Sequence, residues 1–87
     1  MKQAGIEDIK QLVERIGRAS NLSDDLRQVE VEPREDGDGD SYLSVSLYVG
    51  HPERIEWDNV ADLVTSIEDR VREVDDRFPS VHFRKAA

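Results

Sequence analysis

Between Asp58 and Phe78 the apolar residues Val60, Leu63, Val64, Ile67, Val71, Val74 and Phe78 recur at spacings of three and four. At about 100° per residue, that spacing lines one side of an α-helix. Asp62, Glu68, Asp69, Arg70, Arg72, Glu73 and Arg77 fall on the other side. A stripe this regular must be covered by a second apolar surface, so the rest of the chain is read as its cover. Asp58 is the expected N-cap. Pro79 disfavours the helical conformation at Phe78 and is expected to close the helix there.

A second stripe, Ile6, Ile9, Leu12, Val13 and Ile16, predicts a helix from about Ile6 to Ala19. Glu14 with Arg18, Glu68 with Arg72 and Glu73 with Arg77 are four apart, the spacing of supporting ion pairs. A short strand follows over Gln28–Glu32, stopped by Pro33, which has no N–H to give a ladder. Its Val29 and Val31 point one way, and Gln28, Glu30 and Glu32 the other. After a charged, glycine-bearing link comes SYLSVSLYV. Here Leu43, Val45, Leu47 and Val49 face a core, while Tyr42, Ser44, Ser46 and Tyr48 face away. A last strand, Ser80–Arg84, turns Val81 and Phe83 inward.

The expected class is therefore α+β, with element order αββαβ and two helices packed on one face of a three-stranded sheet. A right-handed crossover would make strands two and three parallel. Placing strand one centrally instead sets Glu30 and Glu32 beside His82 and Arg84 on the outer face, where opposite charges across strands attract. On that ground the expected sheet is antiparallel, in the order 2-1-3.

Twenty acidic residues against twelve basic ones give a net charge of −8. No Lys/Arg cluster is present to displace counterions from phosphates, which argues against nucleic acid and anionic membranes as partners. A basic protein partner suits this charge. Eighty-seven residues are read as one domain. Cysteine is absent, so disulfides and thiolate zinc sites are excluded. No signal-type or membrane-spanning apolar run occurs, and a cytoplasmic location is expected.

The candidate sites are few. Asp36-Gly37-Asp38-Gly39-Asp40 begins like a calcium loop, but Ser41 stands where the sharp-turn glycine should be and Leu47 where the bidentate glutamate should be. His51 is expected in an exposed turn and His82 beside Glu30 or Glu32; neither has a zinc ligand set around it, and no metal or cofactor is expected. Ser44 and Ser46 near His82 lack an oxyanion donor, so no enzyme activity is expected. What remains is the outer sheet face: Tyr42, Ser44, Ser46 and Tyr48, flanked by Glu30, Glu32, His82 and Arg84. Tyrosine combines contact area with a polar tip, and an open face or sheet edge can dock a protein. Trp57 is read as a lid on the core rather than an interface anchor.

Through "DLRQVEV", "SYLSVSLYV" and "VADLVTSIEDRVREVDDRFPSVHF" the chain resembles the cytoplasmic αββαβ, ferredoxin-like domain of cation diffusion facilitator transporters. The resemblance implies the fold and a tendency to form a homodimer. In that family metal binds through histidines and carboxylates near the dimer interface; only His82 has a counterpart here. Two functional expectations follow. One is a small acidic interaction protein, of antitoxin, immunity or accessory-subunit type, docking a partner through its open face. The other is a metal-responsive, dimerising regulatory module.

Overall fold

The computed structural model describes residues 2–87. Helix α1 spans Ile6–Arg18, strand β1 Leu26–Glu35, strand β2 Ser41–Val49, helix α2 Trp57–Val74 and strand β3 Phe78–Lys85, with a 3-10 turn at Pro52–Arg54 between β2 and α2. The sheet order is β1-β2-β3; β1 pairs antiparallel with β2, and β3 pairs parallel with it. The expectation of a 2-1-3 antiparallel sheet is therefore wrong. Cross-strand charge pairs contribute only a few tenths of a kcal/mol each. The decisive features are the crossover, which sets β2 and β3 side by side and parallel, and Pro33. β1 runs through Pro33 to Glu35 rather than stopping there, and a proline inside a strand belongs at a sheet edge.

The central position goes to the strand with the fullest apolar row. Leu43, Val45, Leu47 and Val49 are all 0% exposed. Both helices lie against that face: Ile9 and Val13 of α1, and Leu63, Ile67 and Val71 of α2, join Val29, Val31, Leu43, Val45 and Leu47 in one core. Gly17 lets α1 close onto β1, since a Cβ there would stand 2.6 Å from Leu26 Cδ2. The Arg18 guanidinium donates to the Leu26 carbonyl at 2.8 Å. β1 carries an irregularity between Leu26 and Gln28, which puts one extra residue, Arg27, into the strand. The bulge keeps both Leu26 and Val29 in the core and turns Arg27 out.

Helix α2 ends four residues before Phe78. Val74 and Phe78, expected on the buried stripe, are 42% and 53% exposed, and Phe78–Pro79 opens β3 instead. The break comes from Asp75, which is extended and fully buried. Its carboxylate accepts from the amides of Ala4 (3.0 Å) and Arg77 (2.9 Å) and from the Arg77 guanidinium at 2.9 and 2.7 Å. The Arg77 side chain holds this carboxyl down at about 2. Asp76 N donates to the Lys2 carbonyl and Lys2 N to the Asp76 carboxylate, so the residues before α1 are strapped to the α2–β3 junction. Arg77 is thus spent on Asp75, not Glu73, and none of the three expected four-apart ion pairs forms among the described residues. Glu56, not Asp58, is the N-cap residue of α2.

The hairpin loop is held by its own side chains. Asp36 Oδ1 accepts from the amides of Asp38 (2.8 Å) and Asp40 (3.0 Å), and Gly39 takes a positive φ of 84°. Such an Asx arrangement gives the aspartates a turn-forming role.

Candidate functional site

Neither helix covers the outer face of the sheet, and the residues singled out from the sequence meet there. The register lines up Gln28–Tyr48–Arg84, Glu30–Ser46–His82 and Glu32–Ser44–Ser80 across the three strands, with Tyr42 beside Phe78 at the end. Because β2 is central, Glu30 and Glu32 do not neighbour His82 and Arg84; the serine-tyrosine row separates them. His82 accordingly pairs with neither glutamate. Its Nε2 lies 3.1 Å from Ser80 Oγ, and Arg84 Nε reaches Ser46 Oγ at 3.4 Å. Ser46, flanked by strands on both sides, is 7% exposed.

Tyr48 Oη donates to Glu30 Oε2 at 3.2 Å, and Gln28 Nε2 to Glu30 Oε1 at 2.9 Å. Burial, then the bond to Glu30, raises the phenol above its ordinary value. Arg34 pairs with Glu32 at 2.7 Å. These groups frame a depression of about 200 Å³ lined by Glu30, Glu32, Ser44, Ser46, Tyr48 and Arg84. The face is acidic along β1 and basic along β3, with a polar-aromatic row between. Trp57 is a partial lid only. Its ring meets Phe83 edge-on, with centroids 5.7 Å apart at 83°, while 54% of the residue is exposed.

A second constellation, at the end of the sheet where β2 exits, was not foreseen. His51 is not simply an exposed turn residue. Its backbone N–H donates to Asp25 Oδ2 at 2.9 Å, and its ring Nδ1 lies 3.0 Å from Asp25 Oδ1. The His51 amide foremost, and the ring with it, hold the Asp25 carboxyl below the ordinary carboxylate range. Arg27, turned out by the bulge, comes within 3.9 Å of the same carboxylate. Gly50 leaves the room: a Cβ there would sit 2.8 Å from both Asp25 Oδ1 and Arg27 Nε. The imidazole remains 44% exposed. Beside it opens a groove of about 560 Å³, reaching from the end of α1 to the first turns of α2. The sequence signal was slight: an Asp25–His51 separation of twenty-six residues becomes a contact only through the strand pairing.

No group of three or more His, Asp or Glu side chains among the described residues is placed to hold a metal ion. No described helix is long and apolar enough to cross a membrane.

Two helices on one face of a three-stranded mixed sheet, in the order αββαβ, are the architecture of cation diffusion facilitator cytoplasmic domains, and the resemblance stands at the level of fold. Among solved structures, the chain is similar to the C-terminal domain of the magnetosome protein MamB from Desulfamplus magnetovallimortis BW-1, with a TM-score of 0.57 and 23% identity over 94% of this chain and 90% of that one. No family model matches the chain, and no curated protein does.

Proposed function

We propose that this chain is a non-enzymatic regulatory module that works by pairing with a second copy of itself, as the cytoplasmic domains of cation diffusion facilitators do. The observation that carries the reading is the likeness of fold over nearly the whole chain. The uncovered sheet face supports it. A two-fold interface must be self-complementary, and a face with Glu30 and Glu32 on one edge and His82 and Arg84 on the other can meet its own copy with opposite charges opposed. Tyr42 and Tyr48 supply the contact area between them. The same face could take a basic protein partner of antitoxin or accessory-subunit type, but no further feature favours that occupant. A metal response would have to be assembled between copies, since one chain lacks a ligand set among its described residues.

Sedimentation equilibrium tests the proposal. The chain is expected to dimerise reversibly in the micromolar range, and Tyr42→Ala with Tyr48→Ala to return it to monomer with its circular dichroism intact. A chain that stays monomeric at hundreds of micromolar, with and without zinc, overturns the reading.

A further inference from the structure

The groove beside His51 has a floor and a rim of different chemistry. Leu22, Ile55, Val60 and Leu63 give it an aliphatic floor. The rim carries the guanidinium groups of Arg27 and Arg54 among three carboxylates, Asp24, Asp25 and Glu56, two of which are already engaged. The Arg54 guanidinium has no hydrogen bond or ion pair among the described residues, although the amide of Arg54 is fixed to the His51 carbonyl at 3.0 Å. Arg27 is half exposed and touches Asp25 only at 3.9 Å. Of the nearby carboxylates, Asp25 is taken up by the His51 amide and ring, and Glu56 accepts from Asn59 Nδ2 at 3.1 Å. Only Asp24 is left on the rim without a partner.

We propose that this groove binds a small organic anion: a carboxylate carried on a short apolar body. Arg54 and Arg27 grip the carboxylate, while the aliphatic floor takes the body. The volume lies within the roughly 300–1,000 Å³ of small-molecule sites, and guanidinium groups suit a planar carboxylate. The bulge at Arg27 and the bare backbone at Gly50 are what bring this rim together. A phosphate ion alone would satisfy the guanidinium groups and leave the floor uncovered. Arg27 and His51 also border a depression shared with Tyr48, but the aliphatic floor is not part of the tyrosine row, so shifts read at Leu22, Ile55 and Leu63 distinguish this site from self-association.

The test is a titration of the isotopically labelled chain by nuclear magnetic resonance, with hexanoate as probe and hexylamine and inorganic phosphate as controls. Hexanoate is expected to shift the methyl signals of Leu22, Ile55 and Leu63 saturably, and Arg54→Gln to weaken its binding at least about tenfold (about 1.4 kcal/mol) while the rest of the spectrum is unchanged. Absence of saturable shifts overturns the proposal, as does hexylamine binding equally well or Arg54→Gln having no effect. Phosphate binding as tightly as hexanoate refutes the role given to the floor.

Discussion

Replacing Asp75 with asparagine should destabilise the fold more than any other polar substitution, because its carboxylate answers two backbone amides and a guanidinium from full burial. Breaking a buried ion pair typically costs about 3–5 kcal/mol. A second route gives less: holding the carboxyl at about 2 instead of 3.8 corresponds to roughly 2 kcal/mol, at about 1.4 kcal/mol per pH unit. Arg77 stays 12% exposed and solvent screens part of the pair, so a loss of about 2–3 kcal/mol is expected. For a domain of this length, that lowers the melting temperature by roughly 8–24 °C. The assay is thermal and urea unfolding of the parent and Asp75→Asn chains across pH. A depressed carboxylate contributes in full above its unfolded value and loses that contribution as pH falls through the folded one. The difference should therefore be constant from neutral pH to about 5, shrink below 4, and nearly vanish near 2. A variant melting within about 2 °C of the parent at pH 7, or a gap unchanged at pH 2, refutes the reasoning.

Three further outcomes follow from the packing. Glu30→Gln should bring the Tyr48 phenol part of the way back toward its ordinary value, since burial is the larger cause of its rise; an ultraviolet titration reads this, and an unmoved midpoint contradicts the bond. Gly17→Ala gains up to about 1 kcal/mol of helix propensity but drives a Cβ to 2.6 Å from Leu26 Cδ2. Overpacking costs about 1–3 kcal/mol, so urea unfolding should show a net loss near 1 kcal/mol, and a gain would show the contact to be soft. Gly50→Ala should separate Asp25 from His51, and amide hydrogen exchange at His51 should speed up; unchanged protection would mean that Arg27 alone gives way.

Periodicity was enough to place both helices and the inward rows of β1 and β2, because a stripe of valines and leucines has one low-energy way to face a core. Strand order was not decided by it. The alternating pattern of β1 reads the same at a centre or an edge, and the clue lay in Pro33, which an edge strand passes through and a central strand does not tolerate. The end of α2 was missed for a local reason. Val74 and Phe78 keep the helical spacing, but Asp75 gains more from capturing Arg77 and the Ala4 amide than from one further turn. The tyrosine-serine row was legible as a face. The Asp25–His51 pair was not, since a contact between residues so far apart depends on the register of the hairpin.

The extra residue at Arg27 has a consequence for how this chain could vary. Without it, Leu26, Gln28 and Val29 would fall into plain in-out-in alternation, and the ladder would run unbroken to Val49. The hydrophobic interior thus has no use for that insertion; only the cluster over Gly50 does. A shortened version lacking this one position would keep its architecture and forfeit its anion grip, which makes the groove an accessory that can be gained or shed without rebuilding the scaffold beneath.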